Sequence, residues 1–288
     1  MKQGRVRKAY NSFFYVEDTA GGLVPCKLRG KFKKKREICP GDLVDFAPLP
    51  DGTGVIEGLR ERKSLLLRPR VANVSQVLLV FAARDPDPHP LLLSRFLVLA
   101  EWSGIPRIVL CFNKCDLAPA ARETWAGWAG LGYPMYFVSA HTGEGLAELK
   151  ENFVGQVTAL AGPSGVGKSS LLNALGAGEL ATGAVSEKIK RGRHTTRVAE
   201  LLPFAGGYLV DTPGFSAVTL EAIDPQKLAG YFPEMRPYLG ECRFSPCSHS
   251  HEPGCAVKDA VSAGAILPER YEAYLSILQE IQNRKKDY

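Results

Sequence analysis

The chain has 288 residues, a formal net charge of +6 and 45% hydrophobic residues, enough apolar material for two or three packed domains. Met1-Lys2-Gln3-Gly4-Arg5 does not read as a signal peptide, and the apolar stretch 91–102 is broken by Ser94, Arg95 and Glu101, which argues against a membrane span. Seven cysteines, odd in number and mostly scattered, are poor material for a disulfide framework, so a cytoplasmic location without membrane attachment is expected. The charge is uneven. Residues 1–70 hold 16 Lys and Arg against 8 Asp and Glu, whereas the remainder holds 20 against 22, which points to a polyanionic partner for the amino-terminal part.

Residues 1–67 read as five short strands, Gly4–Tyr10, Ser12–Glu17, Leu23–Arg29, Asp42–Ala47 and Gly54–Leu59, separated by Gly-, Pro- and Asp-rich turns. Five short strands in a small basic unit predict an OB-type β-barrel. The run Lys31-Phe32-Lys33-Lys34-Lys35-Arg36 falls between the third and fourth strands. With Phe13, Phe14, Tyr15 and Phe32 as candidate stacking surfaces, it predicts RNA contact.

From Arg68 to Val218 the pattern changes to apolar strands alternating with helical stretches. Val77–Phe81 and Ile108–Phe112 read as buried parallel strands, with a helix opened by Pro90 between them. Tyr136–Val138, Val157–Ala161, Val198–Pro203 and Tyr208–Val210 follow. Strands joined by crossovers predict an α/β domain with ligands at the carboxyl ends of the strands. Residues 219–288 read as a mostly helical segment. In its last helix, Tyr271, Tyr274, Leu275, Leu278 and Ile281 share a face expected to pack on the rest of the protein.

The most informative stretch is Gly162-Pro163-Ser164-Gly165-Val166-Gly167-Lys168-Ser169, a phosphate-binding loop between an apolar strand and a helix start that includes Ser170. Its glycines let backbone N–H groups curl around phosphate oxygens, Lys168 reaches the outer phosphates, and Ser169 offers a hydroxyl to Mg²⁺. Asn113-Lys114-Cys115-Asp116 directly follows a strand. An ionised Asp116 only accepts hydrogen bonds and so matches the paired donors of guanine, N1–H and the 2-amino group, while adenine presents no such pair. Asn113 supports the loop and the Lys114 stem lies on the base. Ser139-Ala140 supplies a backbone N–H for the guanine oxygen. Asp211 is placed for the Mg²⁺ shell and Gly214 for the γ-phosphate, and either Thr195 or Thr196 supplies a further hydroxyl. Cys242-x4-Cys247-x-His249-x5-Cys255 offers three thiolates and an imidazole, a closed tetrahedral set for one structural Zn²⁺, with His251 as an alternative ligand.

Small GTPases carry these motifs in the order phosphate loop, switch threonine, Asp-x-x-Gly, Asn-Lys-x-Asp, Ser-Ala. Here the last two come first, a circular permutation. With the basic barrel before it and the Cys/His cluster after it, the chain resembles the ribosome small-subunit-dependent GTPase A family over essentially its whole length. The resemblance implies a GTP hydrolase, binding GTP and GDP, that assists late maturation of the small (30S) ribosomal subunit through its rRNA and is activated by it; a monomer is expected. Ras-like enzymes orient the attacking water with a glutamine after the Asp-x-x-Gly glycine. This chain has Phe215 there, and the resemblance points instead to His194 in the switch loop. Two competing readings are a nucleotide-gated RNA-binding protein with incidental turnover, kept open by Phe215, and an ATP-dependent enzyme, disfavoured by Asn113–Asp116.

Overall fold

A computed structural model describes residues 1–10, 12–29, 38–67, 70–177, 199–210 and 220–286. The first five strands are β1 (Lys2–Tyr10), β2 (Phe13–Asp18), β3 (Leu23–Leu28), β4 (Leu43–Pro48) and β5 (Gly54–Leu59). They close into a barrel in the order β1-β2-β3-β5-β4, with β3 and β5 parallel. Every strand turns small or branched residues inward, and Val6, Val16, Cys26, Val44, Phe46 and Ile56 are fully buried. Strand alternation divides the candidate aromatics. Phe14 packs on the barrel core, while Phe13 and Tyr15 lie under Lys27 and Lys8, at 4.8 and 5.2 Å from nitrogen to ring centroid. Phe32 and the basic run 31–36 fall outside the described residues.

A two-stranded ribbon, β6 (Leu65–Leu67) and β7 (Arg70–Ala72), lies across the junction expected at 67/68. It is tied to the barrel by Ala72 N–H donating to Pro40 O at 2.8 Å. Nearby, Arg62 grips the fully buried Asp42 carboxylate with two bonds of 2.7 and 2.8 Å.

The next strands are β8 (Gln76–Ala82), β9 (Arg107–Asn113), β10 (Met135–Phe137), β11 (Val157–Ala161), β12 (Leu201–Phe204) and β13 (Gly207–Val210). They form one sheet in the order β10-β9-β8-β11-β13-β12. Helices α1 (Pro90–Trp102), α2 (Ala121–Thr124), α3 (Leu146–Glu151) and α4 (Lys168–Leu172) join them. Because β8 is covered on both faces, its sequence is apolar from Val77 onward: Val77, Leu79 and Phe81 enter one core layer, Leu78, Val80 and Ala82 the other. The edge strand β12 runs antiparallel to β13, because only Ala205 and Gly206 separate them, too few for a crossover. Both have positive φ, 49° and 70°, as a two-residue hairpin turn requires.

Among the described residues after 219 there is no strand. Three short 3₁₀ segments precede α5 (Ala256–Ser262) and α6 (Pro268–Lys286). On α6 the expected stripe faces inward, with Tyr274, Leu278 and Ile281 buried together with Ala273 and Ile277. The helix lies against α1, where Arg95 pairs with Glu280. Arg270 is fully buried, 2.6 Å from Glu234 and 4.5 Å from the Phe232 ring centroid. No described helix is long and apolar enough to cross a membrane.

Candidate nucleotide-binding site and metal centre

Strand β11 ends at Ala161 and α4 begins at Lys168, so residues 162–167 turn between a buried strand and a helix amino terminus. Gly162 has φ 147°, and a Cβ there would lie 2.0 Å from Val80 O on the neighbouring strand. Gly167 has φ 86°, and a Cβ there would lie 2.5 Å from Asn113 Nδ2. Only glycine fits at either position. Val166 is buried and Pro163 half-buried, whereas Ser164, Gly165, Ser169 and Ser170 are exposed at the mouth. Lys168 folds across the loop, its Nζ donating to Gly162 O at 2.7 Å and Pro163 O at 2.5 Å, and burial draws its pKa down.

Two strands away, β9 ends at Asn113, whose side chain is buried. Its Nδ2 donates to Val166 O at 3.0 Å and its Oδ1 accepts from the Ala140 N–H at 3.0 Å. One amide therefore joins the phosphate loop, the Asn-Lys-Cys-Asp strand end and the Ser-Ala loop. Of the two backbone donors of Ser139-Ala140, one of which was expected to face a guanine oxygen, the Ala140 N–H donates to Asn113 Oδ1 and the Ser139 N–H to Glu144 O at 3.0 Å. Lys114, at φ 62°, donates from Nζ to Gly165 O at 2.8 Å and to Asp85 O. Asp116 Oδ1 accepts from Ser139 Oγ at 2.5 Å, and that hydroxyl oxygen accepts from the N–H groups of His141 and Thr142 at 3.2 and 3.1 Å. One oxygen of the Asp116 carboxylate is thereby fixed by the Ser139 hydroxyl. His194, Thr195, Thr196, Asp211, Gly214 and Phe215 lie outside the described residues; β13 ends at Val210, the residue before Asp211.

The contact of Lys114 with Asp85 was not anticipated from the sequence. The signal available was the Asp85-Pro86 dipeptide just beyond β8, separated from it by Ala83 and Arg84, a strong turn marker after the strand beside the phosphate loop. It is easily passed over, because the atom in use is a main-chain carbonyl and the side chain carries no motif.

The metal candidates converge as well. The donor atoms of Cys242, Cys247, His249 and Cys255 all lie within 4.8 Å of one another. Cys242 Sγ is 3.8 Å from Cys255 Sγ and 3.5 Å from His249 Nδ1, which is 3.4 Å from Cys255 Sγ. Tetrahedral ligands about 2.3 Å from zinc stand roughly 3.8 Å apart, so these residues fit the ion. Burial raises the Cys247 thiol to about 12, a shift that a bound cation reverses, and lowers His249, which favours the neutral imidazole a metal ligand must be. His251 is exposed and hydrogen-bonds Ser250 Oγ at 3.0 Å, away from this cluster. All seven cysteines are free thiols.

The family model described as RsgA GTPase matches residues 59–221, and that of the RsgA N-terminal domain matches residues 3–56. The "Small ribosomal subunit biogenesis GTPase RsgA" of Moorella thermoacetica is 46% identical over 293 residues, covering 99% of each chain. The protein of the same description from Thermotoga petrophila is 44% identical over 294 residues, covering 99% of this chain and 98% of that one. Among solved structures, YjeQ from Thermotoga maritima superposes with a TM-score of 0.85 at 41% identity, covering 98% of both chains. YloQ, described as a circularly permuted GTPase, gives 0.83 at 35% identity, covering 99% of this chain and 96% of that one.

Proposed function

The chain belongs to the RsgA GTPase family, and we propose that it hydrolyses GTP at the pocket formed by residues 162–170, 113–116 and 139–140, in the service of small ribosomal subunit maturation. That it is a GTPase follows from the family; the residue roles are our reading. The observation that carries it is the Asn113 amide, which links the loop that cradles phosphates to the loop that reads a base. The N–H groups of 164–168 and Lys168 bind the phosphates, and Asp116, oriented by Ser139, accepts the two guanine donors. On binding, Lys168 exchanges its two loop carbonyls for phosphate oxygens. Ser169, at the first turn of α4, Thr195 or Thr196, and Asp211 would hold Mg²⁺, which neutralises charge on the β- and γ-phosphates when bound.

The three parts divide as barrel 1–67, GTPase 68–218 and zinc segment 219–288. The barrel meets rRNA of the small subunit through Phe13, Tyr15, Lys8 and Lys27, in a cytoplasmic monomer. The zinc ligands, four in number, leave no open coordination position, so the centre is structural. Phe215 has no hydrogen-bonding group to orient water, and His194 takes that role when the small subunit is bound. GTP favours the subunit-bound arrangement and GDP release.

The test is GTP turnover of the full chain with and without small subunits. Subunits are expected to raise kcat strongly for the wild type, and His194→Ala is expected to keep nucleotide binding while losing that stimulation. Unchanged stimulation in the variant removes His194 from the mechanism; no stimulation of the wild type leaves the RNA-binding reading with incidental turnover.

A further inference from the structure

We infer that Asp85 is a positioning residue for the base-binding lysine. Its main-chain carbonyl and that of Gly165 together clamp Lys114 Nζ, so that the loop after β8 sets how long a guanine nucleotide stays bound. The inference deepens the GTPase reading above and rests on it.

A lysine stem is flexible, and to lie along a base it must be immobilised at its far end. Lys114 is immobilised twice: Nζ donates to Gly165 O at 2.8 Å, within the phosphate loop, and to Asp85 O, outside every recognised motif. Bonds from an ammonium to carbonyl oxygens are charge-assisted and stronger than neutral ones.

The loop that supplies the second carbonyl is docked on both halves of the site. The Ala83 N–H donates to Asn113 O at 2.7 Å, which fixes the loop's start to the base-reading strand. At the other end, Pro86 faces the phosphate loop, its Cδ 3.7 Å from where a Cβ on Gly165 would stand.

The conformation of Asp85 is the second observation. It sits at φ 50°, in the left-handed region, although it is not glycine. Asp and Asn visit that region more readily than other non-glycine residues, and β-branched residues hardly at all. The Asp85 side chain is exposed, so the site draws on the direction of its carbonyl rather than on its charge. An unfavourable backbone conformation aimed at a ligand-binding side chain is the pattern expected of pre-organisation.

Because GDP and GTP share the base, loosening this clamp should affect both equally and spare the phosphate chemistry. The experiment is displacement of a fluorescent GDP analogue from the full-length protein, followed by stopped flow, alongside steady-state GTP turnover. Asp85→Val, which disfavours the left-handed conformation, is expected to speed GDP release about tenfold, the scale of one lost charge-assisted bond. It should raise KM for GTP by a similar factor and change kcat less than about twofold. Asp85→Asn and Asp85→Gly, which tolerate the conformation, should restore release to within about threefold of the wild type. In a Lys114→Met background, Asp85→Val should add nothing further. Asp85→Ala, a smaller change with the same conformational bias, is run in parallel so that a folding defect in the valine variant does not decide the matter.

The inference is overturned if both Asp85→Val and Asp85→Ala release GDP at the wild-type rate. It is equally overturned if Asp85→Asn is as fast as Asp85→Val, or if the valine effect persists undiminished without Lys114. Failure of the wild type to bind the GDP analogue is a different result, and it removes the GTPase reading itself.

Discussion

On the function proposed above, the choice of base rests on a single carboxylate, that of Asp116, to which Ser139 Oγ donates at 2.5 Å. Replacing it with an amide exchanges one acceptor for a donor, so Asp116→Asn faces the guanine 2-amino group with an N–H and leaves a donor unpaired. GTP affinity should fall by at least about a hundredfold. Xanthosine triphosphate, with a 2-oxo group in that place, should become the better ligand. Competition of both nucleotides against labelled GDP measures the ratio, and an unchanged GTP preference would remove Asp116 as the reader. Asn113 works at the same scale but by a different means: it is a bracket between loops, and the Cβ that Gly167 lacks is what lets its amide approach.

At the scale of elements, the carboxyl-terminal segment has few internal ties around the Cys/His cluster that fits a zinc ion. Residues 220–255 contain only short 3₁₀ segments, and such stretches hold few hydrogen bonds of their own. The chain around the cluster is pinned by α6, where Tyr271 OH donates to His249 O at 2.8 Å and Tyr274 OH to Ser248 O at 2.7 Å. Chelation of zinc, or Cys247→Ser, should loosen this segment, detected as faster proteolysis within 242–255, while GTP binding persists because α6 rests on α1 and not on the pocket. The pH dependence has a definite sign. Burial raises the Cys247 thiol to about 12 without the ion, so it keeps its proton at neutral pH and zinc must displace it. Zinc uptake should therefore release protons, and affinity should weaken as pH falls from about 8 to about 6. Zinc binding with no proton release would argue that the cysteines are not its ligands.

Across the whole molecule, the barrel is attached to the GTPase sheet at its edge hairpin. Arg7 Nε donates to Leu201 O at 2.5 Å, Arg7 also pairs with Glu17 at 3.2 Å, and Tyr208 OH donates to Glu17 Oε2 at 2.6 Å. Lys8 bridges to Glu200 at 3.4 Å, in register with an isolated antiparallel pair. Tyr208 stands two residues before the end of β13, so this junction is close in sequence to Asp211. Tyr208→Phe removes one hydrogen bond to a carboxylate in a half-buried setting and should cost about 1–2 kcal/mol. In denaturant unfolding, its effect should add little to that of Glu17→Ala, which removes the acceptor of the same bond. Additive effects would show that Tyr208 and Glu17 act separately.

The barrel, the α/β sheet, the helical tail and the metal-binding spacing are all legible in the sequence, because each rests on a local pattern. Alternating residues mark the barrel strands, mostly apolar runs mark β8, β9 and β11, and four ligands fall within fourteen residues. The guanine and phosphate motifs are legible for the same reason, since each is contiguous. What the sequence leaves open is everything that depends on which segments become neighbours. That Phe13 and Tyr15 sit under lysines while Phe14 enters the core follows from barrel closure. That His249 rather than His251 joins the cysteines follows from where the chain turns. The three-way bond of Asn113 and the carbonyl of Asp85 on Lys114 join residues between 27 and 53 positions apart. Motif spacing records which side chains a site requires, but hydrogen bonds depend on distance and direction in space, and these exist only once the sheet has brought the strand ends together.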